Sequence, residues 1–222
     1  MSPPIINREF IGLKERETMD IGKAFTEAWN IYRKNFWTVF LANLVAVLLS
    51  IITLGILFPP LSIGLQSLFI KAKRGEPFVL HDIFGPMGRF WPLTGATAYY
   101  FLVILMAILL PCLGVLALLI WPGWATGLAA FLTIVIFFLS FGWMTWYMFT
   151  FLYIYDQKMT VGAAMLASKI VVRKNNVWLH LLLFLLSGII SQLGSNVFYV
   201  GVLFTAPLGA GALACAYDEE TK

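Results

Sequence analysis

Arg33-Lys34-Asn35 leads directly into FWTVFLANLVAVLLSIITLGILF, an uncharged run from Phe36 to Phe58. About 20 apolar residues in helical form cross a bilayer core of about 30 Å. This run is therefore read as a membrane span, with Trp37 at the level of the headgroups. It is too long for the apolar segment of a cleavable signal, and the residues before it are mixed polar and charged. The span is expected to remain in the mature chain.

The rest of the 222-residue chain has the same character: 60% hydrophobic, 12% charged and 16% aromatic, with a mean hydropathy of +0.87. Soluble domains carry roughly 25% charged residues, so this chain cannot cover a globular surface with polar groups. Disordered chains are poor in aromatics and rich in charge, which excludes that class as well. An all-α integral membrane bundle remains.

Six spans are expected, at about 36–58, 60–73, 91–111, 125–150, 178–194 and 197–217. Pro59-Pro60 starts the second, because proline suits the first turn of a helix. The second is short, and Lys71, Lys73 and Arg74 can snorkel to the headgroups. Gly75–Phe90 reads as a polar loop. Cys112–Trp124 is apolar but broken by Gly114 and Trp121-Pro122-Gly123-Trp124. The fourth span lies in an apolar stretch, Ala125–Tyr155, of about 46 Å as a helix. That length calls for a tilt, a bend near Gly142 or a projection into the cytosol. Pro207 is expected to interrupt the sixth span. Residues 1–19 form a cytoplasmic N-terminal arm, 20–217 a single membrane domain, and 218–222 a charged cytoplasmic tail.

Charge placement orients these spans. Fifteen Lys and Arg and eleven Asp and Glu give a net +4. The cations fall in four clusters separated by long uncharged stretches. Short loops rich in Lys and Arg stay in the cytoplasm. Six spans put every cluster, and both termini, on that side; five or seven would strand some outside. The location implied is a bacterial inner membrane. Cys112 and Cys215 then lie at opposite faces, too far apart for a disulfide.

Two amphipathic helices flank the charged steps. In Asp20–Asn35, Asp20 is the N-cap. Ile21, Ala24, Phe25, Ala28 and Tyr32 share one face, and Lys23, Glu27, Asn30 and Lys34 the other. Lys23 and Glu27 are spaced to pair. The second helix is Thr160–Asn175. Both suit the membrane interface. They superpose without a gap: Asp20 on Thr160, Ile21-Gly22-Lys23-Ala24 on Val161-Gly162-Ala163-Ala164, and Arg33-Lys34-Asn35 on Arg173-Lys174-Asn175. Leu54-Gly55 then parallels Leu193-Gly194, and Pro60-Leu61 with Gly64 parallels Pro207-Leu208 with Gly211. This is a parallel internal repeat, about 20–75 and 160–217, with spans three and four inserted.

These features resemble a group of bacterial polytopic proteins. The residues that carry the likeness are the amphipathic helix with its Arg33-Lys34-Asn35 step, the Pro122-Gly123 turn and Ala167-Ser168 in the second helix. The Gly-rich, Pro-interrupted last span ending at Tyr217 completes it. The group comprises the membrane domain attached to some glycerophosphodiester phosphodiesterases, and related families of unknown function. The likeness covers roughly 20–217 and implies a six-span inner-membrane protein. The phosphodiesterase domain has no counterpart in this sequence, so no catalytic residue carries over.

Little chemistry is legible. No nucleophile–base arrangement, metal-ligand spacing or cofactor motif is present, and no nucleic-acid partner is implied. His81-Asp82 with Glu76 in the polar loop, and His180 at the start of span five, are the histidine settings. No Asp, Glu, Lys or Arg sits deep in a span, whereas ion-coupled transporters usually place ionisable groups there. Uncharged polar residues such as Asn43, Ser187 and Ser191 are expected to bond between helices. Gly123 and Gly127 form a GxxxG spacing, and the slim sequence Gly209–Ala216 marks a helix central to the bundle.

The expected function is a non-enzymatic scaffold, lipid-interacting or accessory subunit of a membrane assembly. Its partners would be membrane lipids with anionic headgroups, other membrane subunits or further copies of itself. Arg33, Lys34, Arg173 and Lys174 are the candidate headgroup or partner contacts. The alternative is a passive transporter or exporter of a small or amphipathic molecule, with a path between the repeats lined by Gln66, Gln192, Asn196 and Thr205.

Overall fold

A computed structural model describes residues 19–120, 123–194 and 201–221. The expected N-terminal arm up to residue 18, Trp121-Pro122, the candidate Asn196 and Lys222 lie outside them. The described chain is all-helical, with no strand. Its helices are α1 (Ile21–Lys34), α2 (Phe36–Ile52), α3 (Phe58–Lys73), a 3-10 helix (Leu80–Arg89), α4 (Phe90–Ile120), α5 (Trp124–Trp146), α6 (Thr150–Asp156), α7 (Val161–Lys174), α8 (Val177–Leu193) and α9 (Val202–Thr221). Two helical runs, Leu80–Gly114 and Thr126–Asp156, are long and apolar enough to cross a membrane. The bent pairs α1–α2 and α7–α8 raise that number to as many as four.

Local sequence explains most of the boundaries. Asp20 caps α1, its Oδ1 accepting from the Lys23 backbone N–H at 3.1 Å. Ala24, Ala28 and Tyr32 are the buried face of α1. The chain then turns by 96° at Asn35 into α2, and by 111° across Asn175-Asn176 into α8. Asn176 takes a left-handed conformation, φ 74°, which Asn tolerates better than most residues. Its side chain accepts from the Trp178 backbone N–H. α3 starts on Pro59 and Pro60.

The centre of the bundle is α9, which packs against α1, α2, α3 and α8. Its small residues permit this. A Cβ on Gly211 would lie 2.5 Å from a Phe69 ring carbon, and one on Gly209 would collide with Ser187 and Ser191 of α8. Pro207 does not interrupt α9. Proline lacks the N–H that would reach the carbonyl four residues earlier, here that of Leu203. The buried Asn43 side chain of α2 donates to that carbonyl instead, at 2.9 Å. The remaining core comes from Leu61, Leu68 and Phe69 of α3, Phe149 to Ile154 around α6, and Val171 and Val172 of α7.

Several expectations are corrected. The tail is not a separate solvated segment: α9 runs on through Asp218, Glu219 and Glu220, and Asp218 is 0% exposed. Nothing in Ala216–Glu220 stops a helix. Beyond Pro111, where the expected third span ends, α4 continues past Gly114 to Ile120, so 112–120 extends that helix. Gly114 instead lets α5 approach, its Cβ position lying 3.0 Å from Thr133. Among the described residues nothing lies within 4 Å of a Cβ built on Gly123 or Gly127, so their GxxxG spacing brings no neighbouring helix close there. The break in the fourth apolar stretch falls at residues 147–149 rather than at Gly142. There Ser168 of α7 donates to the Trp146 carbonyl at 3.0 Å and accepts from the Phe149 N–H at 3.2 Å. The Tyr100 hydroxyl donates to the Tyr147 carbonyl at 2.7 Å. The break is thus held by tertiary partners, which a scan for glycine cannot find. Most of the expected loop 75–90 is the 3-10 helix. Thr160 precedes α7 without a side-chain cap bond.

Candidate functional site

The charges of the described residues gather at one end, where two groups stand out; the exposed Lys158, and Lys169, which lies over the Trp146 ring, belong to neither. The first is committed inward. Arg74, just past α3, donates from Nη1 and Nη2 to Asp156 at 2.8 and 2.9 Å, and from Nε to Asp218 at 2.7 Å. The paired carboxylates hold its guanidinium charged, its pKa raised further above an already high value. The Tyr217 hydroxyl donates to Asp156 Oδ2 at 3.2 Å. Lys73 pairs with Glu27 at 2.7 Å and donates to the Cys215 carbonyl at 2.8 Å. Lys23 pairs with Glu219 at 2.7 Å, rather than with Glu27 as its spacing suggests. Glu220 accepts from the Asn175 side chain, and its other oxygen lies 3.9 Å from His180 Nε2. The three consecutive acids of α9 thus reach α3, α1 and the α7–α8 joint in turn.

The second group is uncommitted. Arg33, Lys34, Arg173 and Lys174 are exposed. Among the described residues none of the four enters an ion pair. The cation pairs end α1 and α7, where positive charge complements the helix dipole, and each sits at a sharp bend. Trp37 and Trp178, 70% and 77% exposed, follow the bends. The structure therefore presents two basic corners, each a cation pair beside an exposed indole.

The other candidates are dispersed. His180 is buried, with Nδ1 3.1 Å from the Asn176 carbonyl and the ring edge-on to Phe149. Asp82 is taken by Lys71 at 2.8 Å and by the Val79 N–H at 2.7 Å. Lys71 and that N–H hold its carboxyl below the usual carboxylate range. His81 and Glu76 remain exposed. Gln192 lines a cavity of about 470 Å³ between α5, α8 and α9 with Phe141, Phe184, Ser187, Ile189 and Leu213. Gln66 is not among its lining residues. Thr205 is spent on the backbone, donating to the Ser191 carbonyl at 2.9 Å and accepting from the Gly194 N–H at 3.2 Å.

Sequence reasoning missed the inward network of Arg74, Asp156 and Asp218. The available signal was the missing helix stop after Tyr217, which carries the three acids back onto the bundle. Compared with protein families, curated proteins and solved structures, the chain matches none.

Proposed function

We propose that this chain is a six-span bacterial inner-membrane protein with both termini cytoplasmic, acting as a scaffold or accessory subunit that grips lipid phosphates at two basic corners. The six spans would be α2, α3, α4, α5, α8 and α9, with α1 and α7 at the interface. The carrying observation is the division of the cations. Those near acids are neutralised inside the fold, while Arg33, Lys34, Arg173 and Lys174 stay exposed and unpaired at the two bends. A basic step beside an interface tryptophan suits a headgroup, with attraction of about 1 kcal/mol per cation near an anionic surface. Matching helix lengths support the repeat: α1 and α7 have 14 residues each, α2 and α8 have 17. The likeness to the phosphodiesterase-associated membrane domains belongs to this reading.

The test is native mass spectrometry of the full chain with its co-purified lipid. Wild type should retain anionic phospholipid. Replacing Arg33, Lys34, Arg173 and Lys174 together by Gln should strip it while leaving thermal stability unchanged. Equal lipid retention in both proteins would sink the proposal. The transporter reading draws on the α5–α8 cavity around Gln192. It requires solute flux in proteoliposomes that Gln192→Leu abolishes.

A further inference from the structure

The two corners differ in one respect. A surface cavity of about 520 Å³ opens at the first, walled by Asn30, Ile31, Lys34 and Asn35 of the α1–α2 joint and by the end of α3 with Glu76, Pro77 and Phe78. Lys34 and Glu76 are its two charges. Both are exposed, and neither enters an ion pair among the described residues, so both are available to a ligand. The α3 wall is further biased to negative potential. A helix C-terminus carries a partial negative charge, and the cations there are bonded to acids other than Glu76, although Lys71 also feels the Glu76 charge. Lys71 goes to Asp82, Lys73 to Glu27, and Arg74 to Asp156 and Asp218. The cavity therefore has a cationic wall and an anionic wall, with Ile31, Pro77 and Phe78 supplying apolar surface between them.

A lone phosphate in this cavity would be attracted by Lys34 and repelled by Glu76 and the α3 end. A ligand carrying both signs meets favourable charge on both sides. Among the described residues, the acid at the second corner is Glu220, and it is engaged with Asn175 and lies beside His180. We propose that the first corner selects a lipid with a phosphoethanolamine headgroup, its phosphate on Lys34 and its primary ammonium on Glu76. This assignment rests on the reading of the corners as headgroup sites.

The experiment uses the full chain carrying Arg173→Gln and Lys174→Gln, so that the first corner dominates. It is titrated in detergent with phosphatidylethanolamine and phosphatidylglycerol of matched acyl chains, and bound lipid is counted by native mass spectrometry. Phosphatidylethanolamine should be preferred. Glu76→Gln should lower its occupancy and raise that of phosphatidylglycerol, each by about two- to fivefold, as expected for an exposed charge contact. Lys34→Gln should lower both. Both substitutions are on exposed side chains, and unchanged melting temperatures would confirm that the fold is retained. An ethanolamine-to-glycerol ratio that ignores Glu76→Gln would overturn the headgroup assignment and leave the corners standing as lipid sites. Absence of any bound phospholipid, in this protein and in wild type alike, would overturn the corner reading itself. Soluble glycerophosphoethanolamine binding as tightly as the lipid would overturn the assignment to a membrane component.

Discussion

Asp218, near the end of α9, is wholly buried among partners from other helices. In the most apolar stretch of Thr126–Asp156, no residue is buried at all. The charged end and the α4–α5 hairpin thus obey opposite rules. At the charged end each polar atom needs a particular partner, because an unpaired charge out of water is costly. Along the hairpin, α4 has 31 residues, about 46 Å of helix. Its outer surface, including Phe101, Leu105, Leu113, Phe131 and Phe138, faces away from the protein. Along that outer surface apolar character and length suffice, whereas side-chain identity matters where Gly114 meets Thr133 and at the buried end of the hairpin, with Leu93, Ala96 and Tyr100. Tolerance to substitution should therefore change sharply between the two regions.

The largest effect is expected from Asp218→Ala. It removes one of the two carboxylates on Arg74 while Asp156 remains, and losing a buried hydrogen bond between charged groups costs about 1.5–3 kcal/mol. Thermal unfolding in detergent measures this, and a shift no larger than that of a hairpin variant would erase the contrast. Next is Asn43→Leu, which leaves the Leu203 carbonyl without its donor at the Pro207 gap. An unsatisfied buried acceptor costs about 1–3 kcal/mol, read by the same assay. Smaller is the contribution of the Lys71–Asp82 pair, under about 1 kcal/mol for an ion pair at the surface. Because the folded pKa of Asp82 lies below its unfolded value, this stability is complete above the unfolded pKa. It is lost as pH falls through the folded one. Melting temperatures followed from pH 7 into the acid range, with Asp82→Asn as control, should show a small wild-type excess that closes on acidification. Least affected should be Phe138→Ala, within about 0.5 kcal/mol as for exposed sites generally. A loss of several times that would mean that the hairpin surface packs against protein.

Which parts of this were legible in the sequence follows the same division. The start of α1 at Asp20, the bends after Lys34 and Lys174, and the opening of α3 at Pro59 are set by residues within a turn of the event. All of them were readable. The slim face of α9 was readable too, since only small residues allow four neighbours to approach. Partner choice was not readable. Asp218-Glu219-Glu220 looks like a solvated tail until α3, α1 and the α7–α8 joint are brought beside it. The break after Trp146 has no Gly or Pro to mark it, because Ser168 and Tyr100 hold it from other helices. At the candidate site, the four corner cations stood out as charge steps. Glu76 reads as an ordinary loop acid, and only the end of α3 sets it across a cavity from Lys34.

The three acids of α9 also bear on the order of biosynthesis. During translation, α1, α3 and α8 are made before α9. Until Asp218, Glu219 and Glu220 arrive, Arg74 and Lys23 lack carboxylates that they hold in the finished fold, and the joint at Asn175 lacks its acceptor. Closure of the charged end is therefore a late event, in which one helix locks three earlier ones together. A ribosome stalled before α9 would hold a chain whose earlier helices are made but whose charged end is still open, the state in which a chaperone or a quality-control protease would find it.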